Sequence, residues 1–421
     1  MRTACTRVLR VARPAQPASR LLPREPRRFA SLSSFEARAA SYWTSERVAW
    51  LNDGLPARKT VLSPDRPGAA ALLRVMGLLQ PDGKLGSDKL KKYRQINAIF
   101  CAIEHALAVP LRDTSSRPLR LLDLCSGSSS HIALLLAFAS RFHWERPVHV
   151  IAVDADPSRV TIAKQRAALL GFDHPASGLR YCNSTIAQLD HWSRLYAATF
   201  AGSTGAGSHA MAPVAPPPDG IFALHACDTA TDEAIAYALD AKAATLLIAP
   251  CCQAELAAQW KQLAAQAREP STQAAEAAYA SAAASVGGVH AAAALGGGGV
   301  TGFSAIHRVP NLRREVGAHV TDAMRLLLIR ASGYAASAVE FVPTEHTPKN
   351  RLITAARQRR GTRTADDAPA RGEAHAGPSW SEPLPPANAM RARERALDEY
   401  RALQASTGGA GIALARMLGV E

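Results

Sequence analysis

The sequence has no Cys-x-x-Cys pair, no internal repeat, and no apolar run near the ~18 residues needed to cross a bilayer. The first absence removes the common zinc-ribbon and thioredoxin-type spacings. The seven cysteines, Cys5, Cys101, Cys125, Cys182, Cys227, Cys251 and Cys252, also make no even secreted framework, so reduced thiols and no metal site are expected. The most apolar stretch, Ala243 to Pro250, is far too short to span, so no membrane insertion is expected. Acidic residues are missing from Met1 to Arg24, where Arg2, Arg7, Arg10, Arg13, Arg20 and Arg24 alternate with Val, Leu and Ala, followed by Arg27-Arg28-Phe29-Ala30-Ser31. With no continuous apolar core, that arm does not read as a secretory signal. Its composition is that of an organellar presequence, mitochondrial first and plastid as the alternative.

A chain of 421 residues that is 48% hydrophobic can bury one large core or two ordinary ones. The formal charge of +14 suggests nucleic acid, but residues 1–28 hold eight Arg against Glu25 alone. With that arm and the Arg-rich C-terminal stretch set aside, a surplus of about +5 remains for residues 29–355, which permits RNA binding without demanding it.

Four segments are expected: a presequence over 1–40, an N-terminal helical extension over 41–112, a main domain over 113–357, and a mostly disordered tail with one terminal helix over 358–421. Residues 87–107 read as a helix capped by Ser87. Ile96, Phe100, Ile103 and Leu107 share one face, and Lys89, Lys91, Lys92 and Arg94 the other. From Leu119 onward, short β-branched or Leu-rich runs alternate with helical stretches, the signature of a mainly parallel α/β sheet with helices on both faces. Seven strands are expected at 119–124, 148–153, 179–182, 220–224, 245–249, 335–341 and 351–355. Segments 202–218 and 264–299, rich in Gly, Ala and Pro, read as flexible insertions.

The first strand runs into Asp123-Leu124-Cys125-Ser126-Gly127-Ser128-Ser129-Ser130, small residues that let a ligand approach backbone at a helix start. The second strand ends at Asp154, placed to accept hydrogen bonds from ribose hydroxyls, whereas Asp156-Pro157 reads as an ordinary helix cap. Asn183 and Ser184 follow the third strand. His225, Cys227 and Asp228 follow the fourth, and Pro250-Cys251-Cys252 the fifth. In open α/β sheets all of these ends face one crevice.

His-Ala-Cys-Asp-Thr-Ala-Thr-Asp at 225–232, Pro-Cys-Cys at 250–252, Lys-Tyr-Arg-Gln-Ile-Asn at 92–97 and Glu-His-Thr-Pro-Lys-Asn at 345–350 together resemble the class I S-adenosylmethionine (SAM)-dependent methyltransferases of the cysteine-pair type. That group is similar to the eukaryotic tRNA 2'-O-methyltransferases with a Cys-Cys motif. The resemblance covers roughly residues 85–357. It implies a Rossmann-like, seven-stranded class I sheet and SAM as cofactor, held by Asp123, Cys125, Gly127, Ser129, Asp154, Asn183 and Ser184. Cys125 and Ser129 stand where the family's acidic-x-Gly-x-Gly-x-Gly pattern has its outer glycines.

Further implied are His225 or Asp228 as a base, Cys227, Cys251 and Cys252 lining the acceptor pocket, and Lys92, Arg94, Gln95, Glu345, His346, Lys349 and Asn350 contacting substrate. The expected substrate is organellar RNA, rRNA or tRNA. Covalent catalysis by a cysteine stays open, as does a protein acceptor. A non-catalytic assembly factor on a mitochondrial ribosome precursor is the rival class. A nicotinamide oxidoreductase is a weaker third reading, because nothing after the fourth strand suggests hydride transfer.

Overall fold

A computed structural model describes residues 32–53, 55, 60–113, 116–129, 131–144, 146–200, 215–224, 226–266, 303–342, 350–358 and 386–420. Helices come first: α1 (Leu32–Tyr42), α2 (Ser45–Leu51), α3 (Ala69–Val75), α4 (Leu90–Ala106) and α5 (Ala108–Arg112). Strands and helices then alternate through β1 (Leu119–Leu124), α6 (His131–Phe142), β2 (Val148–Asp154), α7 (Pro157–Leu169), β3 (Leu179–Asn183), α8 (Trp192–Phe200), β4 (Gly220–Ala223), α9 (Thr229–Asp240), β5 (Thr245–Ile248) and α10 (Glu255–Gln266). The chain closes with α11 (Ser304–Arg308), α12 (Pro310–Ala331), β6 (Tyr334–Glu340), β7 (Arg351–Arg357), α13 (Pro386–Ser406) and α14 (Ala413–Met417).

One seven-stranded sheet has the order β3-β2-β1-β4-β5-β7-β6. The first five strands are parallel, and β7 runs antiparallel to both β5 and β6. The order reverses between β1 and β4, which opens a crevice at the carboxyl ends of the strands. This is the Rossmann-like class I sheet expected from the sequence, with every strand within two residues of its expected bounds.

Successive strand residues feed opposite cores, as a period of two requires. Leu119, Leu121, Val148 and Val150 pack with Ile96, Phe100, Ile103 and Leu107 and with α6. Leu122, Leu124, Ile151 and Val153 pack with α9, α10 and α12. The N-terminal helices therefore cover one face of the sheet and the later ones the other.

Three expectations are corrected. A short 3-10 turn over Ser87–Lys89 precedes α4, so the residue before α4 is Lys89 and not Ser87. Helix α1 begins at Leu32, inside the expected presequence, and buries Phe35 and Ala39 in the core. The last 35 described residues are structural, not tail. Helix α13 packs on α12, and Tyr400, Ile412 and Leu414 are fully buried in the second core. Each such side chain contributes roughly 1.5–3 kcal/mol of transfer free energy. Polar bonds fix the segment to α10: Gln259 donates to the Gly411 carbonyl at 2.7 Å, and Glu255 accepts the Ala413 amide at 2.8 Å.

Candidate active site

The turn after β1 is held from both sides. Cys125 adopts φ 54° and Gly127 φ 66°, so the turn needs left-handed backbone at two positions, and the first is occupied by cysteine where glycine would sit without strain. The Ser126 amide donates to the Val153 carbonyl at 2.9 Å, and the Gly127 amide donates to Asp154 Oδ2 at 2.8 Å. The other oxygen of Asp154 accepts the Asp156 amide at 3.0 Å. Asp154 thus shapes the turn as well as facing it, and retains lone pairs on both oxygens for a ligand hydroxyl. Asp156 caps α7 by accepting from Ser158 and Arg159, with Pro157 at the first helical position, as its sequence context suggests. Asn183 is exposed and donates its side-chain amide to the Asp154 carbonyl at 2.9 Å. The Ser184 backbone amide donates to the same carbonyl at 3.1 Å. Ser129 lies half-buried in the turn.

Asp123 differs from the expectation. It is buried, and its carboxyl accepts the Ala133 amide of the first turn of α6 at 3.2 Å. Burial pushes its pKa up to about 8 against the opposing Ala133 hydrogen bond, with the nearby Asp154 charge adding to the rise. The buried carboxyl thus ties β1 to the start of α6 and positions the turn.

The opposite wall comes from the loops after β4 and β5. Asp228 sits at φ 54°, ψ −122°, a conformation that L side chains rarely adopt. Its amide donates to the Cys252 carbonyl at 3.0 Å, and its Oδ1 accepts the Ala254 and Glu255 amides at 2.8 and 3.2 Å. Asp228 therefore caps α10 and ties the two loops together through Oδ1, a positioning role that the sequence did not suggest. The side chains of Cys227, Cys251 and Cys252 meet, their sulfurs all within 4.8 Å of one another. Burial, then the Cys227 and Cys252 thiols, push Cys251 up to about 12. It stays a thiol at neutral pH, which weighs against Cys251 as a covalent nucleophile.

Cys125 links the two walls. Burial first, then Asp154, Asp123, Glu233 and Cys227 in turn, push its thiol up to about 12, so it lies within electrostatic reach of the turn and of the cysteine cluster alike. His225, Ser130, Glu345, His346 and Lys349 lie outside the described residues.

A buried polar network behind the cysteine loops was not foreseen. Arg325 of α12, fully buried, donates to both oxygens of Asp232 at 2.9 Å, to Asp322 at 3.3 Å and to the Asp228 carbonyl at 2.9 Å. Gln253 donates to Asp322 at 3.0 Å, and Arg351 also pairs with Asp322. The available signal was a pair of charges three residues apart on the apolar face of Met324, Leu328 and Ile329.

Among the expected substrate contacts, Asn350 is corrected. It is buried and donates to the Val342 carbonyl at 2.8 Å, closing the β6–β7 turn. Lys92, Arg94 and Gln95 lie half-buried on α4. Burial, with repulsion from Lys89 and Arg166, holds Lys92 below the ordinary lysine range. Arg166 donates to the Ser128 carbonyl of the β1–α6 turn at 2.6 Å, so this cationic group adjoins the crevice. The Arg94 Nε is buried with no hydrogen-bond partner.

Residues 91–259 match a protein-family model described as a methyltransferase domain, a span that runs from α4 into α10 and holds both walls of the crevice. No curated protein matches the chain at a significant level. Solved structures that align include a magnesium protoporphyrin IX methyltransferase from Synechocystis, at 13% identity over 72% of this chain and 98% of that one, with a TM-score of 0.31. A putative O-methyltransferase from Klebsiella pneumoniae aligns at 12% identity over 75% and 97%, with a TM-score of 0.33. An rRNA methyltransferase from Streptomyces viridochromogenes aligns at 16% identity over 36% and 72%, with a TM-score of 0.23. Likeness at these scores sets no constraint on substrate.

Proposed function

We propose that the chain is a SAM-dependent methyltransferase acting on an organellar RNA, rRNA or tRNA, in the mitochondrion. The observation that carries this reading is the Gly127 amide held on Asp154 at 2.8 Å at the switch point of the sheet. The donor set suits a sulfonium nucleoside: an acid at the end of β2 for ribose hydroxyls, a small-residue turn at the start of α6, and Asn183 and Ser184 beyond β3. When bound, SAM supplies an electrophilic methyl group. The chain's own contribution is placement, because an acceptor lone pair aimed in line needs little else. Asp228 and Arg325 hold the β4 and β5 loops that form the acceptor wall, and the β1 turn forms the donor wall.

An RNA acceptor is supported by Lys92 and Arg166, two cations that repel each other beside the turn and that a phosphate would relieve. The mitochondrial assignment, with plastid as the alternative, rests on the acid-free, Arg-rich arm from Met1 to Arg24. A second reading, a non-catalytic factor on a mitochondrial ribosome precursor, is favoured by the side chain that Cys125 adds at a position suited to glycine. The two separate on deletion of the gene followed by mapping of methylated nucleotides in organellar rRNA and tRNA. Loss of a defined methyl group, restored by wild type and not by Asp154→Ala, supports the enzyme. Complete retention of every methylation contradicts it.

A further inference from the structure

We propose that Cys227, Cys251 and Cys252 form a three-thiolate Zn2+ site with its fourth position open to solvent. The proposal does not depend on methyl transfer. All three sulfurs lie within 4.8 Å of one another, and the edge of a tetrahedral zinc-thiolate site, from Zn–S bonds of about 2.3 Å, is about 3.8 Å, so metal capture needs only side-chain adjustment.

Adjacent cysteines on a strand point to opposite faces and cannot share an ion. Here β5 ends at Ile248, and residues 249–254 form neither strand nor helix, which frees Cys251 and Cys252 to converge on Cys227. That irregular backbone is nonetheless fixed. The Asp228 amide holds the Cys252 carbonyl, the Asp228 carboxylate holds Ala254 and Glu255, Arg325 holds the Asp228 carbonyl, and Gln253 is held by Asp322. Such outer partners keep a metal site's ligands in place. The strained backbone at Asp228 adjoins Cys227.

Charge argues the same way. One Zn2+ would bring the three sulfurs together as thiolates and release their protons. The amino ends of α9 and α10, each twelve residues long, begin two residues after Cys227 and three after Cys252, and both favour the negative charge that three thiolates bring. Among the described residues no fourth His, Cys, Asp or Glu joins the group, and the exposure of Cys227 and Cys252 leaves the cluster accessible to solvent.

The test uses the full-length protein, purified under reductant and stripped of metal. Zn2+ is titrated in competition with a chromophoric chelator, and Co2+ absorption is recorded on the same sample. The expected result is one equivalent of tightly bound Zn2+ and a thiolate-to-cobalt charge-transfer band. Cys227→Ser and Cys252→Ser, at exposed positions, each weaken Zn2+ by at least about 100-fold, the upper end of what loss of an outer-shell partner costs. Both keep the thermal midpoint of the metal-free protein, and Cys101→Ser, outside the cluster, changes nothing. Less than half an equivalent of Zn2+ with all thiols reduced overturns the proposal, as does binding that either serine variant leaves unchanged.

Discussion

The carboxylate of Asp228 accepts the Ala254 amide at 2.8 Å, across 26 residues of chain, and so joins the loop after β4 to the start of α10. That bond makes Asp228 a positioning residue. Asp228→Asn keeps an acceptor and is expected to unfold within about 2 °C of wild type. Asp228→Ala loses the cap, at a cost of about 1 kcal/mol, or about 2–4 °C for a domain of this size. Thermal melts separate the two, and an Asn variant that retains methylation in cells excludes Asp228 as a base.

Asp123 sets a pH dependence of known sign. Its carboxyl titrates near 8 in the folded chain and at its ordinary value of 3.8 once unfolded, so the native state holds a proton that the unfolded state has lost across that window. Stability therefore falls as pH rises from about 4 to about 8, and this contribution levels off above that. Denaturant midpoints from pH 5 to pH 9 are expected to decline for wild type, and to decline less for Asp123→Asn.

Arg325 lies between Asp232 and Asp322, all three at most 2% exposed. Arg325→Met leaves the buried Asp232 carboxylate without its main partner, while Asp322 keeps Arg351 and Gln253, and is expected to cost about 3–5 kcal/mol, with little rescue by Arg325→Lys, whose single ammonium cannot reproduce the forked contacts. Chemical denaturation checks the magnitude. A loss under 1 kcal/mol would mean that the network is not structural.

Cys125 carries a left-handed backbone at a cost of roughly 1–2 kcal/mol, nearly matched by the roughly 0.5–1 kcal/mol of entropy that glycine brings to the unfolded state. Cys125→Gly is thus expected to change stability by less than about 1 kcal/mol and to tighten SAM binding by removing a thiol from the crevice. Weaker binding in that variant would show that the thiol is a contact.

The strands were legible because hydrophobic runs and small-residue turns report local conformation, and β1 and β2 carry both. Asp154 was legible for the same reason, as the acid that ends β2. The capping role of Asp228 was not legible because its partner amides lie on a different loop, and a cap formed across 26 residues leaves no local spacing. Asn350 was misjudged because nothing in Pro-Lys-Asn shows that the amide turns inward onto Val342. The C-terminal segment was read as tail because a polar, Pro-rich stretch precedes it, although Ile412 and Leu414 join a core that holds residues as distant in the chain as Leu122 and Ile151. That Cys227, Cys251 and Cys252 share one crevice was legible from the strand ends, whereas their approach to within 4.8 Å depends on loops fixed by Arg325 and Asp228, which no ligand spacing records.

The central claim is that the turn clasped by Asp154 holds SAM. Calorimetric titration of SAM into the folded full-length protein tests it directly. One site of micromolar affinity, abolished in Asp154→Ala and kept in Cys252→Ala, is the predicted result. No binding heat from wild type, or an Asp154→Ala protein that binds SAM as wild type does, contradicts the account.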